Sequence, residues 1–246
     1  MKRKAFTLVE LLVSVAIVMF IVSMLMPTLR QARAATEVAV CMKDQRQIAQ
    51  GWNVYAMDNG RKIIWSDPAG DPDGNMSPDR WVKRGNTTDA IKEGALWPYL
   101  QDLNVYHCPS DWTDHPRTYS MAGFLHGENN WGQMPWPTYA QTLGGVQYPS
   151  QQLLLVEEND PRGWNIGSWV IYPNEHPTNS SQWVDYVGVF HQGGDNVGFA
   201  DGHVEFWEYQ DERTLEFADG GFHFYSNHPN SPDLQRYQSH YNPGSP

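Results

Sequence analysis

The sequence has few of the residues that several common protein classes require. It contains 17 Lys and Arg residues against 28 Asp and Glu residues, a formal net charge of −11. No basic surplus exists to neutralise phosphates, so we predict no nucleic-acid partner. Cys41 and Cys108 are too few for a multi-disulfide scaffold and lack metal-motif spacing. The sequence also contains no nucleophile elbow, phosphate-binding loop or zinc-binding helix motif, so we predict no enzyme.

The strongest positive signal is an apolar run near the N-terminus. Residues 6–26 form about twenty mostly apolar residues, enough to cross a hydrocarbon core of about 30 Å as a helix. Lys2, Arg3 and Lys4 precede the run and hold the leader in the cytoplasm. A secretory signal peptide cut near Ala32 and Ala34, and a plain single-span anchor, are competing interpretations. Glu10 argues against both, because a carboxylate in a membrane helix is costly and usually functional.

Residues 4–10, of sequence KAFTLVE, resemble the class III signal of type IV prepilins and type II secretion pseudopilins. The resemblance implies cleavage between Ala5 and Phe6 by a membrane prepilin peptidase, followed by N-methylation of Phe6. It also implies that Glu10 pairs with the α-amine of a neighbouring subunit and sets the register of a filament. The residue before the cut is usually Gly, and here it is Ala5.

The expected organisation follows from this signal. We predict a cytoplasmic leader (1–5), a transmembrane or filament-core helix (6–26), its amphipathic continuation (27–59), a globular domain (60–221) and a loosely ordered tail (222–246). Pro27 should kink the helix, and Asp58-Asn59-Gly60 should end it. With the globular domain outside the cytoplasm, a Cys41–Cys108 disulfide is the simplest interpretation, and two separate buried thiols are the alternative.

The globular part predicts an α+β, pilin-like fold, in which the long helix packs on one face of an antiparallel sheet with long loops. A short helix or turn begins at Trp97. Asp201-Gly202 is typical of a two-residue type I′ hairpin. The predicted strands cover 118–121, 153–157, 168–171, 183–190, 196–200 and 203–207.

A second resemblance lies near the C-terminus. His191, nine further residues and then Asp201-Gly202 are similar to the C-terminal signature of a large pilin-like family, and the surroundings of Cys41 and Cys108 look similar too. The resemblance implies pilin-like assembly and little more. A structural turn is the favoured interpretation of His191, its imidazole capping backbone groups; a metal or catalytic site with Asp201 and His203 is the alternative.

Two other segments have the composition of a binding site. Asp67, Asp71 and Asp73 form an oxygen-rich loop that does not fit an EF-hand; we predict no cofactor, with calcium in this loop as the alternative. Trp131, Trp136, Trp164 and Trp183 lie among Gly, Pro and Asn. Such indoles could stack on sugars, although anchoring loops in the core is the favoured interpretation.

The sequence therefore predicts a pilin or pseudopilin subunit in the inner membrane, which later forms a filament in the periplasm or at the cell surface. Its expected partners are the peptidase/N-methyltransferase, other pilin or pseudopilin subunits and an inner-membrane assembly platform. The alternatives are a minor pilin or adhesin with glycan-binding Trp-rich loops, and a membrane-tethered metalloenzyme using His191 and His203.

Overall fold

The first helix is the longest element of the structure. The computed structural model describes residues 7–67, 79–126, 140–160, 167–172, 180–218 and 225–242. Helix α1 spans Leu8–Asp58 and contains Pro27 without interruption. The Asn59 backbone N–H donates to the Tyr55 carbonyl, and the Asn59 side-chain amide donates to the same oxygen at 2.8 Å. The predicted stop at residues 58–60 is therefore confirmed, whereas a bend at Pro27 stays a prediction.

The second half of α1 packs on the domain over a shorter stretch than the sequence suggested. An amphipathic helix was expected over 27–59, but Leu29 is 63% exposed and the buried stripe begins at Cys41. From there it recurs at three- and four-residue steps through Ile48, Trp52 and Tyr55. Small apolar residues between 27 and 40 fit the helical period but contact too little of the domain to be buried.

The described residues contain five strands: β1 (Tyr119–Ala122), β2 (Leu153–Glu157), β3 (Ser168–Trp169), β4 (Gly194–Phe199) and β5 (Val204–Glu208). They form one mixed sheet in the order β3-β1-β2-β4-β5. The prediction of an antiparallel sheet is wrong at one edge, because β1 pairs with β3 in parallel while the other pairings are antiparallel. The shorter helices are α2 (Thr88–Lys92), α3 (Trp97–Leu100), α4 (Glu212–Ala218) and α5 (Pro232–Tyr241), with 3₁₀ turns at Leu103–Tyr106 and Leu143–Gly145.

Helices cover both faces of this sheet. On one face, Trp52 and other α1 residues join a core with Leu155. On the other, Tyr237 and Tyr241 of α5 pack in a second core with Val156. The prediction of a loosely ordered tail is therefore wrong for residues 232–241, and the domain does not end at residue 221. The fully buried β2 strand follows from this arrangement, since both of its faces are covered.

Two local predictions in the globular domain need correction. Residues 183–190 form no strand, because their backbone N–H groups do not form a ladder with one neighbouring strand. They donate instead to different loops and strand ends; the Trp183 N–H, for example, donates to the Ser226 carbonyl. The β4–β5 turn is not type I′, because Asp201 lacks the positive φ which that turn requires. Instead the Gly202 N–H donates to the Phe199 carbonyl, and Gly202 itself has φ +95°, which gives a three-residue hairpin loop.

Candidate functional site

The N-terminal half of α1 exposes nearly all of its apolar side chains. Leu8, Phe20 and Leu25 are each more than half exposed, in a stretch that a soluble protein would have to bury. Within the described residues α1 is the one helix long and apolar enough to cross a membrane, by length and composition. The most apolar 18-residue stretch of α1 has a mean hydropathy of 2.7, and none of it is buried in the fold. This surface is consistent with a single-pass anchor, and it is free to contact lipid or another helix.

Glu10 lies in the first turn of this exposed helix and already has an intrachain role. It forms a capping box with Thr7: the Glu10 N–H donates to Thr7 Oγ1 at 3.2 Å, and the Thr7 N–H donates to Glu10 Oε2 at 2.9 Å. Two of the unpaired donors at the helix start are satisfied in this way. Sequence reasoning missed Thr7, although Thr-x-x-Glu before an apolar run is a readable capping signal. Ala5 and Phe6 lie outside the described residues.

The two cysteines meet where α1 enters the domain. Cys41 and Cys108 are fully buried and disulfide-bonded, with their Cα atoms 5.3 Å apart. The Cys108 N–H donates to Thr118 Oγ1 at 2.9 Å, and Thr118 Oγ1 donates to the Asp111 carboxylate at 2.6 Å. The bond therefore joins the helix to a loop that is itself held to the start of β1.

His191 lies against this disulfide rather than in a solvent-exposed turn. Its Nε2 is 3.4 Å from Cys108 Sγ and 3.2 Å from Glu157 Oε1, and both His191 and Glu157 are buried. The Asn196 side-chain amide also donates to Glu157 Oε1, at 3.2 Å. We predicted that the His191 imidazole caps backbone groups; in the structure it contacts a carboxylate and a sulfur atom instead.

A second buried carboxyl group accompanies Glu157. Asp195, on the neighbouring strand β4, accepts a hydrogen bond from the Tyr237 hydroxyl at 2.6 Å. Burial raises the pKa of Asp195 well above its usual range, and the nearby Glu157 carboxylate raises it further. The folded protein therefore favours the protonated form of Asp195 more strongly than an exposed aspartate would. Sequence patterning gave no sign that these carboxyl groups would be buried together.

The structure separates the two histidines that were considered as a shared metal or catalytic site. His191 precedes β4, and His203 lies at the opposite end of the β4–β5 hairpin. Paired strands of this length hold the ends more than about 15 Å apart, so the metalloenzyme alternative is wrong for this pair. His203 is partly exposed, and its Nδ1 contacts Asp201 Oδ1 at 2.5 Å. The residues of the C-terminal signature therefore lie in two separate places. His191 lies beside the disulfide, and Asp201 and Gly202 form the hairpin turn.

The remaining candidate ligands divide between described and undescribed residues. Asp67 is 6% exposed, whereas Asp71 and Asp73 lie outside the described residues, and calcium binding stays a prediction. Trp183 is fully buried and its indole N–H donates to His228 Nδ1 at 3.2 Å, so it is not available for sugar stacking. The other tryptophans proposed for glycan binding, Trp131, Trp136 and Trp164, also lie outside the described residues.

Comparison with known proteins agrees with this geometry at the N-terminus. Residues 1–26 match the family model for the prokaryotic N-terminal methylation motif. Neither curated proteins nor solved structures give a match. The motif and the long exposed helix together support a type IV pilin-like protein, a substrate of prepilin peptidase and a structural subunit rather than an enzyme. The match does not reach His191, Asp201 or Gly202, so the C-terminal signature stays a resemblance.

Proposed function

We propose that this protein is a filament subunit of the pilin or pseudopilin type, which polymerises through the exposed half of α1 after its leader is removed. The observation that carries the proposal is the combination of a methylation motif with an apolar helix surface that the fold leaves uncovered. A plain anchor would need the same surface, but it would need neither the motif nor Glu10.

The negative charge on Glu10 provides a contact between neighbouring subunits during assembly. Cleavage before Phe6 creates a positive α-amine, and N-methylation leaves it positive. A carboxylate at the centre of a membrane helix costs about 2.5–3.5 kcal/mol on insertion scales, which is an upper limit for Glu10 in the first turn. An ammonium from an adjacent subunit offsets much of this cost, because a paired charge in a low dielectric is less costly than an isolated one. The pair therefore favours one axial register between neighbouring subunits.

The capping box makes the test of Glu10 specific. In the single chain Glu10 helps to cap α1, so a loss of assembly in Glu10→Ala alone could reflect a frayed helix. Glu10→Gln keeps an oxygen that can accept the Thr7 N–H but removes the charge. Thr7→Val removes the hydroxyl cap, at a cost of about 1 kcal/mol, and keeps the charge.

We expect Glu10→Gln and Glu10→Ala to insert in the membrane normally but to be depleted from sheared filament fractions. Thr7→Val should assemble close to the wild-type level. Quantitative immunoblots of membrane and filament fractions, from cells that contain the assembly machinery, measure both quantities. Wild-type assembly of Glu10→Gln would refute the charge-pairing step.

Processing can be tested separately on material from the native host. Mass spectrometry of the wild-type chain should show a mature N-terminus at Phe6 with one methyl group on its amine. A chain that keeps Lys2, Arg3 and Lys4 in its mature form would contradict the proposal. A shifted cleavage site would revise the role of Ala5 alone.

A further inference from the structure

Four potential metal ligands from four different segments converge beside the α1–domain junction. Cys41 comes from α1, Cys108 from the loop before β1, Glu157 from the end of β2 and His191 from the turn before β4. Their ligand atoms all lie within 4.8 Å of one another, and all four residues are buried. Sulfur, imidazole nitrogen and carboxylate oxygen are the donors that zinc prefers in four-coordinate protein sites.

The distances within this group fit the edges of a zinc tetrahedron. With typical zinc–ligand bond lengths, a tetrahedral site has a sulfur–nitrogen edge of about 3.5 Å and a nitrogen–oxygen edge of about 3.4 Å. The structure has Cys108 Sγ to His191 Nε2 at 3.4 Å, and His191 Nε2 to Glu157 Oε1 at 3.2 Å. The sulfur–sulfur edge differs, because a disulfide holds the two atoms closer than the roughly 3.8 Å that two zinc-bound thiolates require.

We propose that the dithiol form of this protein binds one Zn²⁺ through Cys41, Cys108, His191 and Glu157, as the alternative to the disulfide. A dithiol or phosphine reductant supplies two electrons, and two protons are taken up as the disulfide becomes two thiols. Zn²⁺ then displaces both thiol protons. A two-electron oxidant, such as the disulfide of a thiol oxidase, accepts the electrons when the two thiolates re-form the Cys41–Cys108 bond, which removes two ligands and releases the metal. A newly translocated chain carries both thiols before it is oxidised, and this is the state that would take zinc.

Neighbouring groups already orient the ligands. The Asn196 amide donates to Glu157, and the Cys108 backbone N–H is held by Thr118. Outer contacts of this kind fix ligand geometry in metal sites and affect their affinity by about 10–100-fold. Zinc would also compensate the negative charge of the Glu157 carboxylate, which is fully buried with its Oε1 3.2 Å from His191 Nε2. The position is therefore suited to a divalent cation once the sulfurs are free.

The test uses the full chain in detergent micelles, in oxidised form and after phosphine reduction, with ZnCl₂ as the probe. Competition with a chromophoric chelator should show one zinc bound per reduced chain and none per oxidised chain at this site. His191→Ala should lower zinc affinity of the reduced chain by more than about 100-fold, because losing a direct ligand costs more than the 10–100-fold typical of an outer contact. His203→Ala is the matched control, because it removes a partly exposed imidazole at the far end of the hairpin and should leave affinity unchanged.

Substitution by Co²⁺ gives a readout that does not depend on any variant folding. The reduced wild-type chain should show thiolate-to-cobalt charge-transfer bands and the intense ligand-field absorption of a tetrahedral site. Equal zinc affinity in wild type and a folded His191→Ala would overturn the proposal. So would an octahedral cobalt spectrum, or a reduced wild-type chain that retains no zinc.

Discussion

Breaking the Cys41–Cys108 disulfide should destabilise the domain substantially, because the bond closes a long loop. The two cysteines are 67 residues apart in sequence. In the chain-entropy model a loop of this length removes about 15 cal/mol/K from the unfolded ensemble, or about 4 kcal/mol at 25 °C. Both sulfurs are fully buried, and the Cys108 backbone N–H bonds to Thr118 Oγ1, a contact that does not depend on the disulfide. We therefore expect a less stable domain with the same architecture.

Urea unfolding of the full chain in micelles, followed by tryptophan fluorescence, measures this effect. With a slope near 2 kcal/mol/M, a change of about 4 kcal/mol moves the midpoint by about 2 M. The Cys41→Ser/Cys108→Ser variant should behave like the reduced wild type. A metal chelator must be present throughout, because zinc bound by the thiols would restabilise the reduced chain. A midpoint shift below about 0.5 M would refute the loop-closure reasoning.

Three further predictions address the packing of α1 on the sheet and the buried carboxyl pair. Trp52→Ala, at a fully buried α1 position, should cost about 3–5 kcal/mol in the same assay, whereas Val54→Ala, 46% exposed, should change stability by less than about 0.5 kcal/mol. Gly198→Ala should lower the melting temperature, because the added Cβ would lie 3.0 Å from an α1 side-chain oxygen; Gly144→Ala, with nothing within 4 Å, should not. Asp195 has a raised pKa in the folded state, so the folded protein binds the extra proton and wild-type stability should fall as pH rises above about 4, by up to about 1.4 kcal/mol per pH unit. Asp195→Asn should flatten this slope, and an unchanged slope would contradict the assignment.

The apolar helix and most of the sheet were predictable because they depend on local patterns. The run before Pro27 is long and apolar enough to predict a helix by itself, and the Asp-Asn-Gly stop is a short-range signal. The strand at 153–157 was predicted with the bounds that the structure has, since four apolar residues in a row fit a strand with both faces covered.

The errors arose where long-range packing decided the outcome. The segment after Phe222 was classed as tail because of its Pro, Asn and Ser content, yet Ser231 caps α5 and Pro232 begins it, a normal helix start. Residues 183–190 have strand-forming side chains, but among the residues that the structure describes no strand pairs with them to complete a ladder. The contacts of His191 with Glu157 and Cys108 join residues 34 and 83 positions apart, and no pattern in a single sequence encodes such a meeting.

If the apolar run spans a bilayer, the stretch of α1 between that run and the domain sets the height of the domain above the membrane surface. Residues 27–36 rise about 15 Å along α1 before Glu37 accepts a hydrogen bond from Ser110 at 3.0 Å. A lipid headgroup layer is about 5–8 Å deep on each side. With residues 8–26 in hydrocarbon and the helix upright, the domain stands clear of the headgroups by several ångströms. The domain would then add little drag to lateral diffusion of the protein. Removing two helical turns from residues 27–36 would press the acidic surface of the domain onto the lipid.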